Sequence, residues 1–406
     1  MSILKCIFSL ALVALAIAPT AMSQGCGPIE SSALRALLKD TKLAREHPDE
    51  FNWKVFALIS YPVKSKPFVA NNHQTLLPNN VLWETWADDD YTFPSSPNPK
   101  IRRTWCGRNS TIQLSPDPLA KFFEKRLLEV DARLSDVDTI GGGFQNATGP
   151  DAFGGEEVRR NKTAFTFIAG HNLWYQEGLA RSGFDAQGKM RKAPLNFPKG
   201  SIEIKAVWKT IFESQKGTYH WNYGQNGQLY GLLSLHIITK TLDKWTWATW
   251  EHVDNLRRCD EIGCSDSYGS QPAIVPSAEA LGHAYPPGNL TPNVLKLFRD
   301  AGVKPEWQNY RLKGSQVDPM NKRYLGNTQM EGSYLPTASC ISCHARASVR
   351  CNGQTDVQLG LNADKTGPNG SLDTLPSDQY PTDFVWAFFL AKPVNPNRKS
   401  CLPTTP

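Results

Sequence analysis

Residues 340–344 read Cys340, Ile341, Ser342, Cys343 and His344, and no other stretch of the 406-residue chain limits its possible folds so tightly. Two thiols three positions apart fall on one face of a helical turn, with the following imidazole close by. C-x-x-C-H is the attachment sequence of c-type haem. Cys340 and Cys343 would each add across a vinyl group, and His344 would reach the iron from the same side. The expected cofactor is one covalent haem c.

Three other readings of the same residues compete. A zinc site needs a second pair of ligands, for which Cys259 and Cys264 are available, but thiolate zinc is uncommon where disulfides form. A thioredoxin-like redox pair belongs at the start of the first helix after an early strand, and this motif lies deep in the chain. A plain Cys340–Cys343 disulfide is the least favoured of the three.

Export supports the haem reading independently. Lys5 is followed by an apolar run over 6–17 and by small residues up to Ser23, the pattern of a secretory signal peptide. The run is too short to span a bilayer, so cleavage is expected after Ser23, leaving a periplasmic chain with no transmembrane segment. A lipid anchor on Cys26 is disfavoured, because no aliphatic residue precedes it at the usual position. Six cysteines then remain outside the haem motif and the signal: Cys26, Cys106, Cys259, Cys264, Cys351 and Cys401. A local Cys259–Cys264 disulfide is expected, while the pairing of the other four stays open. The net charge of +6 is spread without Lys/Arg blocks, which gives no footprint for nucleic acid. The Asn-x-Ser/Thr sites, such as that at Asn109, are read as accidental.

The expected fold class is α+β. Ser31 or Ser32 can cap a helix carrying Leu34, Leu37 and Leu38, and a second amphipathic helix is expected over 118–134. Residues 141–155 read as a glycine-rich loop. Period-two alternation over 201–208 puts Ile202, Ile204, Ala206 and Trp208 on one face, and runs over 228–241 and 244–253 form a hairpin about Leu242 and Asp243. These strands predict a β-rich region, sandwich-like or a curved antiparallel sheet, with flanking helices. Thr291, Pro292 and Gly302 bracket another helix, and a last apolar helix is expected over 384–391. The division is residues 1–23 signal, 24–290 a β-containing region of unassigned role, and 291–406 a C-terminal helical haem-binding segment.

No Met or His follows His344, so a sixth iron ligand comes from upstream, is of another type, or is absent. The mature chain offers Met190, Met320 and Met330; Met330 is the expected ligand, since Gly332 and Pro336 can turn the chain back across the haem. Met320 and His252 are its rivals, and packing of Met330 against the haem edge is the bland alternative. Trp250 and His252 share a strand face that either walls a pocket or belongs to the core. His236 reads as a hydrogen-bonded core histidine.

Several stretches carry a family resemblance. They are 53–58 (Trp53 to Leu58), 82–86 (Leu82 to Trp86), 197–205 (Phe197 to Lys205), 235–237 (Leu235 to Ile237), 247–255 (Trp247 to Asn255) and 327–331 (Asn327 to Glu331), ahead of the haem motif. With these the chain resembles a family of large bacterial monohaem proteins described as cytochrome c family proteins. The resemblance implies haem c and a redox role, and no particular substrate. The expected function is one-electron transfer with a periplasmic redox partner protein, rather than catalysis. A haem enzyme, a peroxidase or oxidase component whose upstream region holds a substrate, is the alternative.

Overall fold

The computed structural model describes residues 30–63, 79–101, 103–105, 153–223, 228–259, 262–271, 286–318, 324–331, 335–336, 338–355, 375–397 and 401. The expected signal peptide, the helix over 118–134, Cys26, Cys106, Asn109 and Met320 lie outside the described residues.

The architecture is mixed helix and antiparallel sheet. Its centre is one seven-stranded sheet in the order β1 (Ala87–Asp88), β2 (Phe153–Arg160), β3 (Ile202–Thr210), β5 (Leu229–Thr239), β6 (Thr246–His252) and β9 (Tyr310–Gln316), with β4 (Trp221–Tyr223) also pairing to β5. Every pairing is antiparallel. Among the described residues the large sheet is one antiparallel layer with no second large sheet packed on it, where the sequence left a sandwich open. The other sheets among the described residues are two-stranded: β7 (Ser270–Gln271) with β8 (Asn289–Leu290), and β10 (Ser348–Val349) with β11 (Tyr380–Pro381).

Both faces of the sheet are covered, which is why β5 reads as a nearly continuous apolar run. On one face Ile202, Ile204, Ala206, Trp208, Leu235 and Ile237 meet α3 (Pro48–Ile59) and α7 (Pro292–Ala301). Trp250 stacks on Phe56 there, with ring centroids 4.9 Å apart, so it belongs to this core. On the other face Ile238, Trp245 and Trp247 join α5 (Lys162–Gly170), α6 (Gln176–Gly183) and the apolar residues around the cysteine motif.

Local sequence explains most of the element ends. Ser31 caps α1 (Ser32–Leu37) by accepting the Leu34 N–H. Thr291 caps α7 with Pro292 in its first turn, and Gly302 ends it in the left-handed region, φ 66°. Residues 153–155, expected as loop, open strand β2. Gly155, at φ 109°, takes up the register shift there. The expected apolar helix over 384–391 is a 3-10 helix, Trp386–Leu390. The chain enters it through Asp383 and Phe384, both at positive φ, and the segment is too short to nucleate an α-helix.

Residues on both sides of position 290 share these layers, since α7 packs into the first core and β9 pairs with β6. Among the described residues, no helix is long and apolar enough to cross a membrane.

Candidate functional site

The cysteine motif forms a one-turn helix, α8 (Cys340–His344). Ser339 caps it by accepting the Ser342 N–H at 3.4 Å. Gln316, the last residue of β9, fixes the start of the helix to the sheet: its Oε1 accepts the Ile341 N–H at 3.0 Å, and its Nε2 donates to Ser339 Oγ at 3.1 Å. The Cys340 thiol donates to the Leu325 carbonyl at 3.3 Å. Burial pushes the Cys343 thiol up to about 12, so it stays protonated.

His344 is half-buried. Its Nδ1 lies 2.7 Å from the Phe384 carbonyl, and its ring rests 4.6 Å from that of Trp247 on β6. Desolvation lowers its pKa to about 4, which leaves a neutral imidazole, the ligating form. With Nδ1 donating to Phe384, Nε2 carries the lone pair, and it has no hydrogen-bond partner among the described residues. The donor set therefore fits a c-type haem: two thiols on one turn, and an oriented histidine with an open Nε2.

The expected ligand Met330 lies on the 327–331 segment, partly buried against Val207, Ile211, Tyr219, Leu229 and Leu233. That segment is pinned to β6. Asn327 Nδ2 donates to Thr249 Oγ1 at 2.7 Å, and Glu251 accepts the Thr328 N–H at 2.8 Å and the Thr328 hydroxyl at 2.6 Å. The next residue, Glu331, turns to β5, where its Oε1 lies 3.1 Å from His236 Nε2. The charges of Glu331 and Lys205 reach both the Cys343 thiol and the His344 imidazole.

His252 is a core residue. Its Nε2 lies 3.0 Å from the Thr218 carbonyl, its Nδ1 accepts the Asp254 N–H at 3.1 Å, and its ring stacks on Tyr219 at 3.9 Å. Both nitrogens are used, which removes it as an iron ligand. Met190, 37% exposed, sits opposite Phe184 in an isolated bridge.

Two described disulfides join Cys259 to Cys264 and Cys351 to Cys401. The first is the expected local bridge, and it consumes the second ligand pair of the zinc reading. Sequence reasoning passed over the His236–Glu331 pair, Trp247 and the Phe384 carbonyl. Of these, only Trp247 left a signal, since it alternates with Trp250 along β6. No protein-family model matches the chain, and neither does any curated protein or solved structure.

Proposed function

We propose that this chain is an exported monohaem c-type cytochrome that passes single electrons to and from a periplasmic partner protein. The observation that carries the reading is the conjunction on α8: Cys340 and Cys343 on one helical turn, followed by a histidine whose Nδ1 is tied to Phe384. Cys340 and Cys343 would hold the haem by thioether bonds and His344 would ligate its iron, with a ferric–ferrous couple as the chemistry supplied. The chain's own part is to orient the imidazole, to exclude water with Trp247 and the apolar residues around α8, and to set the local charge through Lys205 and Glu331. Two disulfides suit an oxidising compartment, in keeping with the expected signal peptide.

The test is production in a host with c-type cytochrome maturation, followed by acid–acetone extraction and mediated redox titration. Haem that stays with the protein and titrates reversibly supports the reading, whereas haem that extracts, or none, ends it. Peroxide turnover, together with cyanide binding that displaces no protein ligand from the iron, would mark the haem-enzyme alternative instead.

A further inference from the structure

The haem reading leaves the second axial position to be filled, and the sheet beside α8 presents one residue suited to it. His236 lies on β5 opposite Lys205 of β3. By strand alternation it shares a face with Ile238, whose cross-strand partner is Trp247. Trp247 is the residue whose ring touches His344. His236 therefore stands on the same side of the sheet as the motif, one pleat along β5 from the contact with its histidine.

The two ring nitrogens of His236 are in different states. Nε2 is held by Glu331 at 3.1 Å, and Nδ1 has no hydrogen-bond partner among the described residues. A histidine that binds a metal through one nitrogen characteristically donates the other N–H to a carboxylate, which fixes the ring and raises its basicity. Either nitrogen can serve as the ligating one. Glu331 is itself fixed, because its Oε2 accepts the Asn327 N–H at 2.6 Å on the segment that Glu251 and Thr249 pin to β6. Such support is what an axial ligand needs to hold its geometry through repeated redox cycles.

Three other described histidines are spent or remote. His252 uses both nitrogens on backbone groups. His220 uses Nε2 on Glu84 at 3.1 Å and Nδ1 on Asn79 at 3.4 Å, and stacks on Trp307 of the opposite core. His171 is exposed, with Nδ1 on the Phe167 carbonyl.

We propose that His236 is the second axial ligand of the haem iron, bound through Nδ1, with Glu331 as the carboxylate that positions it. The inference rests on the haem reading above and replaces Met330 in the sixth position. A bis-imidazole site lacks the thioether that raises the potential in His/Met cytochromes. A carboxylate on the ligand's other nitrogen favours the ferric state further.

The experiment is electron paramagnetic resonance and near-infrared absorption of the ferric holoprotein, for wild type and three variants. Wild type should give a bis-imidazole low-spin signal without the sulfur-to-iron charge-transfer band. His236→Ala should lose that signal and regain a low-spin spectrum when imidazole is added, while Met330→Ala should match wild type. Glu331→Gln, which keeps a hydrogen bond and removes the charge, should stay low-spin with a raised midpoint potential, a readout that a merely structural role would not move. A sulfur-to-iron band that vanishes in Met330→Ala, or a low-spin signal unchanged in His236→Ala, overturns the assignment. Wild type without covalent haem overturns the reading beneath it, and shows this before any variant is made.

Discussion

The Nδ1 of His344 lies 2.7 Å from the backbone carbonyl of Phe384, forty residues further along the chain. The orientation of the motif's imidazole is thus set by a distant turn. Asp383 holds that turn: its Oδ1 takes the Lys240 ammonium at 2.6 Å and its Oδ2 the Phe197 N–H at 2.6 Å. Asp383 and Phe384 both sit at positive φ, 52° and 70°. Strained backbone of this kind persists only where its surroundings over-determine it.

Asp383→Ala should therefore destabilise the protein strongly. It removes the carboxylate partner of the Lys240 ammonium, which is 1% exposed and also donates to the Asp243 carbonyl at 2.8 Å, and removing one partner of a buried pair costs about 3–5 kcal/mol. Urea denaturation of both proteins measures the difference. A loss under about 1 kcal/mol would mean that the turn holds without its carboxylate.

Glu251 has a comparable role for the 327–331 segment. It accepts two hydrogen bonds from Thr328 and faces the buried Lys313 ammonium at 3.2 Å. Glu251→Ala should cost a similar amount, about 3–5 kcal/mol. Amide exchange at 327–331 should speed up more than exchange in β3 and β5; equal effects everywhere would show that Glu251 only supports the core.

Asp266 gives stability a pH dependence. It is 5% exposed, and burial, with Asp49 nearby, raises its pKa from 3.8 to about 6 despite hydrogen bonds from the Gly269 and Tyr268 amides and Trp53. A carboxyl whose folded pKa lies above the unfolded value binds its proton more tightly in the native state. Its contribution is fully present below about pH 4 and is lost as pH rises through about 6, a change of about 3 kcal/mol at most. Asp266→Asn should flatten the stability–pH curve over that window, as followed by denaturant midpoints. A wild-type curve already flat there would contradict the shift.

The Cys259–Cys264 bridge closes a short loop, so its removal should be mild. Replacing both residues by Ser should cost about 1–3 kcal/mol, seen as a lower thermal midpoint under non-reducing conditions. No change in midpoint would show that the loop is equally constrained without the bridge.

The sheet was legible where period-two alternation is clean. Ile202, Ile204, Ala206 and Trp208 all face one core, and the hairpin register was readable too. A two-residue turn at Leu242 and Asp243 puts Thr239 opposite Thr246, which is the observed pair. The ladder stops there because Lys240 leaves it to reach Asp383 and Trp245 takes φ 62°, so residues 240–245 form a longer loop. The surroundings of the motif were less legible. The contact of His236 with Glu331 spans 95 residues, and that of His344 with Phe384 runs through a carbonyl, which carries no side-chain signal. Glu331 sits beside the methionine that sequence reasoning favoured, but a carboxylate is recognisable as a positioning group only when its partner is in view.

The central claim is that Cys340, Cys343 and His344 hold a covalent haem, and the intact mass of the denatured, reduced protein tests it most directly. After export from a host with c-type maturation, the wild type should carry the added mass of one haem. Cys340→Ala/Cys343→Ala should carry none. A wild-type mass equal to that of the bare processed chain, or a haem adduct that survives in the double variant, would contradict the account.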